Sequence, residues 1–404
     1  MSPVRVTAES PPDLAVRTEK YATELVALRR DLHAHPELAF AEVRTTRVIR
    51  DRLEEAGLPA RILPVGTGLV CDVGRDGPTV ALRADMDALP ISDEKDVAYR
   101  STIPGLAHAC GHDLHTAIQV GAALVLADLE QEGLLPGRAR LIFQPAEESL
   151  TGGAQDVIEA DEIEGVDCIF ALHCDPRTDA GQVGIRSGAI TSAADKVGVR
   201  LVGPGGHTAR PHLTADLVYA LAKIATDVPA ALSRRVDPRN GVSLVWGKIA
   251  AGSAANAIPQ AGELEGTLRC LEISAWEDAP DLVTHLIEEI AEMYSAKVQI
   301  DYRRGVPPVV NNGRCTDWLE QAALEELGVG SVVLAEQSLG GEDFAWYLRD
   351  IPGSLARLGV RTPGDREFRD LHQGVFDADE RSIGIGVRLM VGAAVRALTE
   401  LAAR

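Results

Sequence analysis

No stretch of the 404 residues approaches the ~18 consecutive apolar positions of a membrane span. The opening residues, MSPVRVTAESPPDLAVRTEK, mix charges with prolines and lack the apolar core of a signal peptide. Basic residues are few beside acidic ones, 40 Lys and Arg against 60 Asp and Glu, for a formal net charge of −20. Nucleic acid and anionic membranes are repelled by such a chain, which leaves small molecules or proteins as partners. The six cysteines (Cys71, Cys110, Cys168, Cys174, Cys270, Cys315) include no CxxC pair, and in a chain this long that fits reduced thiols better than a disulfide framework. A cytoplasmic location is therefore expected. Internal repeats are lacking too, and neither Gly66-Thr67-Gly68 nor Gly203, Gly205 and Gly206 make the G-x-G-x-x-G turn of a dinucleotide site.

Against these absences stands one dense cluster. HACGHDLH, residues 108 to 115, holds three histidines, a cysteine and an aspartate in eight positions, and the acidic doublet Glu147-Glu148 follows downstream. Thiolate and imidazole suit zinc and its borderline neighbours, and carboxylate accepts nearly any divalent ion. A spare carboxylate beside them can serve as the base that takes a proton from water, so the pattern points to a metal-activated hydrolase.

Around the cluster the chain alternates strands and helices. Helical patterns cover 14 to 32, 42 to 56 and 114 to 130; PTVALRAD (78 to 85), RARLIFQ (138 to 144) and DCIFALH (167 to 173) read as buried strands. This rhythm predicts an α/β fold with a largely parallel central sheet. The strands run into Asp85 and Asp87, Glu147 and Glu148, and His173, while Cys110 and His112 precede a helix. Ligands in open α/β sheets bind beyond the carboxyl ends of strands, so these residues are expected at one edge.

From 189 to 304 the pattern becomes β-α-β-β-α-β: KVGVRLV, a helix through 212 to 234, VSLVWGKIA, ELEGTLRCL, a helix through 278 to 295, and KVQIDYR. That order describes a ferredoxin-like insertion. Period-2 alternation puts Leu264, Leu268 and Cys270 on one face of ELEGTLRCL and Arg269 on the polar face. The expected organisation is a catalytic domain in two parts, 1–188 and 305–404, interrupted by a lid or dimerisation domain, 189–304.

Nine segments in series carry a resemblance: RRDLHAHPEL, RADMDALP, HACGHDLHTA, FQPAEE, GGHTARPH, NAIP, GTLR, GGEDF and LHQGVFDADE, from Leu28 to Ile383. The chain resembles the amidohydrolases of subfamily D in metallopeptidase family M20, the group of aminoacylases, hippurate hydrolases, auxin-conjugate hydrolases and N-acetyldiaminopimelate deacetylase. The resemblance implies a zinc-peptidase-like catalytic domain and hydrolysis of N-acyl amino acids or similar small amides. It implies two divalent ions, zinc first with manganese or cobalt as alternatives, held by Cys110, His112, Glu148, His173 and His372. Glu147 becomes the general acid-base and Asp87 the group orienting a ligand. His207 in the insertion resembles a histidine that steadies the oxyanion, often in the partner subunit's centre, so a homodimer or higher oligomer is implied. Asn256 and Arg269 resemble groups holding the substrate carboxylate. Where other branches carry His-x-Asp, this chain has Asp85-Met86-Asp87.

Other readings attach to the same residues. A dipeptidase or aminopeptidase-like activity is the alternative chemistry, and a non-catalytic metal-holding scaffold a remote one. Glu147-Glu148 could be a solvated helix start. His33 and His35 read as packing and hydrogen-bonding groups, and Asp113 and His115 as supports for ligands. Glu342 and Asp343 either cap a helix at Phe344 or face the substrate.

Overall fold

The structure is a computed structural model that describes residues 13–149 and 152–404. The charged, proline-bearing segment 1 to 12 lies outside the described residues. The first part of the chain forms helices α1 (Leu14–Glu19), α2 (Ala22–Ala34), α3 (Val43–Glu55), α4 (His112–Gln131) and α5 (Ala154–Glu159). Its strands are β1 (Ala60–Ile62), β2 (Leu69–Gly74), β3 (Thr79–Asp85), β4 (Arg138–Gln144), β5 (Cys168–Asp179), β6 (Val183–Ile185) and β7 (Gly188–Ala189). Next come β8 (Ala193–Val202), β9 (Gly206–His207), α6 (Leu217–Arg235), β10 (Ser243–Ala251), β11 (Ala257–Ile258), β12 (Ala261–Cys270), α7 (Ile273–Met293) and β13 (Lys297–Arg303). The chain ends with β14 (Val310–Asn311), α8 (Gly313–Leu327), β15 (Val332–Leu334), β16 (Gly353–Arg361) and α9 (Arg381–Ala402).

Eight strands make the large sheet, in the order β1-β2-β4-β3-β5-β16-β6-β15. Its centre, β4-β3-β5-β16, is parallel throughout, as is the β6-β15 pair. Antiparallel pairing enters at β1-β2, β2-β4 and β16-β6, so the sheet is mixed rather than uniformly parallel. Every residue of β3 is buried, as a central strand covered on both faces requires. One face packs under α4 and α9, with Leu82, Phe143, Leu172 and Val387 in its core, and the other holds Ile142, Ile169 and Phe344.

Several boundaries differ from the sequence reading. The helix expected over 14 to 32 is two helices, because the chain turns at Lys20 and Tyr21 and both side chains reach Asp128 of α4. Strand β5 does not stop at His173 but runs to Asp179, since β16 extends the ladder to Arg361 opposite Asp179. Helix α4 starts at His112, after Gly111 in the left-handed region at φ 85°. A Cβ there would stand 2.6 Å from Cys174 Sγ, so the position requires glycine twice over. Helix α9 has the length and apolarity of a membrane span, but 61% of its most apolar window is buried, much of it against α4, α8 and β3.

The insertion forms its own antiparallel sheet, β10-β12-β8-β13, with α6 and α7 on one face. This is the ferredoxin-like strand order that β-α-β-β-α-β predicts. Along β12, Leu264, Leu268 and Cys270 are buried while Glu263, Glu265, Thr267 and Arg269 are half-buried, as the alternation anticipates. A separate core, including Val199, Leu221 and Ile287, holds the unit together.

Candidate metal centre and active site

The carboxyl edge of the large sheet collects the predicted ligands. By register β3 ends level with His173, since Arg83 pairs with Ala171 two residues earlier, and Glu147 and Glu148 follow the end of β4. From the first turn of α4 His112 points at the same place, with Cys110 just before it. Ligand atoms of Cys110, His112 and His173 lie within 4.8 Å of one another, and so do those of Cys110, Glu148 and His372. His112, Glu147 and Glu148 form a third such set. The sets overlap at Cys110, His112 and Glu148, an arrangement with room for two neighbouring ions.

Donor orientation fits cations. Asp87 Oδ1 lies 3.1 Å from His112 Nδ1, and Asp87 Oδ2 accepts from the Glu148 amide at 2.9 Å. With Nδ1 engaged, His112 Nε2 is buried at the cluster with no hydrogen-bond partner. Burial alone would lower the His112 pKa, but Asp85, Cys110 and Asp87 outweigh it and hold the imidazole well above its ordinary range. The pocket thus stabilises positive charge at this nitrogen. His173 is pushed the other way, by burial first and by the charge of Arg357 next, which keeps it a neutral donor. Its Nδ1 bonds the Cys174 carbonyl at 2.9 Å, and its Nε2 is 3.5 Å from Cys110 Sγ. Burial raises the Cys110 thiol well above its usual range, so a cation is what would draw out the thiolate. His372 Nε2 is 3.1 Å from Glu148 Oε1.

Glu147 differs from its neighbour. Burial first, then the charges of Glu342, Glu148 and Asp343, lift its carboxyl well above the usual range, with His112 opposing. It is a carboxyl suited to holding a proton. Glu148 is instead drawn down by His372 and His112 against its own burial. Both line a cavity of about 350 Å³ together with Cys110, His173, His372 and the loop Ser338 to Asp343. The doublet is not a helix start: both glutamates lie in a turn, and α5 begins at Ala154.

A supporting layer went largely unread in the sequence. Arg83, fully buried, donates to Asp85 at 2.7 Å, Asp343 at 2.6 Å and Gln144 at 2.9 Å, and pairs with Glu342 at 3.1 Å. Tyr347 donates to Gln144 at 2.9 Å. The available signal was polarity in the wrong place: arginine and glutamine inside otherwise apolar strands. His115 accepts from the Cys174 amide at Nε2, so its Nδ1 carries the proton donated to Asp85 at 2.6 Å. His33 bridges Asp113 and Asp93, and His35 bonds the Asp31 carbonyl, both in supporting roles. Glu342 accepts from the Phe344 amide at 3.0 Å, as a cap does, and also lines the cavity.

The residues of the insertion stand apart. His207 and Asn256 are exposed and adjacent, His207 pairing with Ala257 and Thr208 donating to the Asn256 carbonyl, and neither lines the cavity of its own chain. Arg269 reaches the cavity rim, where its guanidinium bonds the Leu339 carbonyl.

Known proteins place this arrangement. Residues 81–396 match the family described as Peptidase family M20/M25/M40. The crystal structure of a dinuclear metal-binding M20 peptidase from Bacillus subtilis is 34% identical, with a TM-score of 0.82 over 94% of this chain and 99% of that one. N-acetylcysteine deacetylase of Bacillus subtilis (strain 168) is 36% identical over 378 residues, 93% of this chain and 97% of its own length. A Rhodococcus jostii (strain RHA1) protein named as a glutamate–cysteine ligase 2-3 is 49% identical over 375 residues; that covers 93% of this chain, which spans only 47% of the longer relative. Fold, ligand sets and relatives define a hydrolase of amide bonds that works with two divalent metal ions. The chain belongs to peptidase family M20/M25/M40.

Proposed function

We propose that the chain hydrolyses N-acyl amino acids or related small amides, releasing a carboxylic acid and a free amino acid. The observation that carries this reading is the placement of Glu147: a half-buried carboxyl on the cavity wall beside Cys110, His112, Glu148, His173 and His372, with Glu342, Glu148 and Asp343 favouring its acid form. The N-acetylcysteine deacetylase relative supports the substrate class. Bound ions, zinc by preference with manganese or cobalt as alternatives, supply a Lewis acid for the amide carbonyl and acidify water. Glu147 accepts the proton of the attacking water and returns it to the leaving amine, which needs a carboxyl able to hold a proton near neutral pH. Asp87 fixes His112 and the Glu148 backbone, so the donors do not reorganise during the reaction. His207 steadies the oxyanion, and Asn256 and Arg269 take the substrate carboxylate.

Because His207 and Asn256 do not line the cavity of their own chain, we assign them to the centre of a second copy and take the active form to be at least a homodimer. The insertion offers surface for it: β10 is the edge strand of its sheet, with Val245 67% and Ile249 56% exposed. We place the domain junctions at 188–189 and 304–305 and the protein in the cytoplasm, where six unpaired, buried cysteines are at home.

The two glutamates separate by experiment. Glu147→Gln should keep its metal and lose about two to four orders of magnitude in turnover, the range of general acid-base groups. Glu148→Gln should lose metal. Chelated wild-type protein reloaded with zinc, manganese and cobalt in turn should recover to different degrees. Equal metal loss in both variants, or no turnover on any N-acyl amino acid, would overturn the assignment.

A further inference from the structure

Beside the cavity that holds the candidate metal ligands lies a second one, with shared lining. This second chamber, of about 410 Å³, is walled by Leu334 and Leu339 and by Asp175, Arg177, Glu336 and Asp370, of which Arg177 pairs with Glu336 and Asp175 accepts from Thr178. Three residues line both spaces: Ser338, Leu371 and Arg357. Arg357 lies on β16 directly opposite His173 on the parallel neighbour β5, and paired residues of a parallel ladder project to the same face. On its other side β6 presents Gly184, where a Cβ would come within 3.1 Å of the Arg357 Cβ and 3.2 Å of the Ala335 Cβ. Glycine there leaves the arginine its room.

The Arg357 guanidinium makes no hydrogen bond and no ion pair among the described residues, although that of Arg83 on the same sheet face has four partners. A half-buried guanidinium without a partner carries a desolvation cost, and this chain has acidic groups in excess to pair it with. The fold leaves it free where it lines both cavities. Guanidinium presents a planar fork that matches a carboxylate bidentately, a geometry a lysine would not give.

We propose that Arg357 is an anion subsite that grips a carboxylate on the arm of the substrate passing into the second chamber. This rests on the reading of the protein as an N-acyl amino acid hydrolase. With the α-carboxylate assigned to Asn256 and Arg269, the group at Arg357 is a second carboxylate. The favoured substrates are therefore amides with an extra acidic group, carried either on a dicarboxylic acyl chain or on the side chain of an acidic amino acid.

Matched pairs on the metal-loaded, full-length protein distinguish these arms. N-succinylalanine against N-butanoylalanine tests the acyl arm, and N-acetylglutamate against N-acetylglutamine the amino-acid arm. Wild type should favour the acidic member of one pair by about tenfold or more in kcat/KM, the effect of one charge-assisted pair. Arg357→Met, with metal content measured because the same charge faces His173, should erase that preference, leaving the acidic and neutral members within about threefold of each other; Arg357→Lys should restore part of it. A binding readout independent of turnover is thermal stabilisation by glutarate beyond that by butanoate, present in wild type and absent in Arg357→Met. Should Arg357→Met not fold, Arg357→Gln serves in its place. Equal loss on acidic and neutral substrates, or no preference for either acid in wild type together with no glutarate effect, would overturn the subsite. No turnover on any substrate, with glutarate stabilisation still dependent on Arg357, would keep the subsite and remove the hydrolase reading.

Discussion

Ala146, the residue before the glutamate doublet, is a non-glycine in the left-handed region at φ 56°. Such a conformation costs of order 1–3 kcal/mol and persists only where the surroundings hold it. Here Glu42 supplies the hold: its Oε1 accepts from the buried Ala146 amide at 2.8 Å, across 104 residues of sequence. Burial, with Asp87 nearby, pushes the Glu42 carboxyl up to about 7, so glutamine is a close mimic of its protonated form. Glu42→Ala should leave a buried N–H without an acceptor, costing about 1–3 kcal/mol, and let the doublet swing. Turnover and urea-unfolding midpoint should both fall in Glu42→Ala and both be largely rescued in Glu42→Gln. Equal defects in the two variants would show that the acceptor is not what matters. Sequence offered no route to this contact. Cys110, His112, Glu147 and Glu148 were legible because soft and hard donors crowd there, whereas Glu42 and Arg83 act through partners that only the folded chain brings near.

Between β3 and α4 the chain runs from 86 to 111 without a regular helix or extended strand, and its order depends on side chains. Asp93 is the hub. Its Oδ2 accepts from the Ser101 amide at 2.9 Å and lies 3.1 Å from His33 Nε2, while its Oδ1 accepts from the Lys95 amide at 3.1 Å. Lys95 Nζ then bonds the Phe376 carbonyl, and the Glu94 amide bonds the Gly374 carbonyl, tying the loop to the segment that carries His372. Burial alone would raise the Asp93 pKa, but the bonds from His33, Ser101 and Lys95 outweigh it and hold the carboxyl well below its ordinary range. A depressed carboxyl contributes stability that is complete above its unfolded pKa of about 3.9 and is lost as pH falls through the folded value. Asp93→Asn should therefore lower the urea midpoint most at pH 7, and the gap to wild type should narrow below about pH 4. A gap independent of pH would mean the charge contributes nothing. Elements were easier to read than such loops. Helix α4 and strands β3 and β4 carry unmistakable apolar runs, and the alternation along β12 gave its faces. Strands β2 and β16 are equally buried, but LVCDVG and GSLARLGVR are broken by glycine and charge, which blurs their period.

At the scale of the whole molecule the groups proposed for catalysis lie in two places. Glu147 and the proposed metal donors Cys110, Glu148, His173 and His372 line one cavity, while His207 and Asn256 lie in the inserted domain at an exposed pair of short strands. The β-α-β-β-α-β order made the insertion legible in the sequence, but the distance between His207 and the cavity was not, because motif order says nothing about which centre a side chain serves. Two arrangements satisfy the chemistry: the insertion swings until His207 reaches its own cavity, or a second copy brings its own His207. Arg269 favours the second, since its bond to the Leu339 carbonyl already seats the insertion against the rim of its own cavity with His207 elsewhere. His207→Ala and Glu147→Gln should each be nearly inactive with metals retained. Mixed under conditions of verified subunit exchange, they should regain activity, because a heterodimer then holds one centre with both an intact Glu147 and an intact His207. Random reassortment makes about half of all dimers heterodimers, each with one complete centre, so recovery should approach about a quarter of wild type. No recovery after proven exchange would confine His207 to its own chain, and a fully active monomer in analytical ultracentrifugation would remove the dimer from the mechanism.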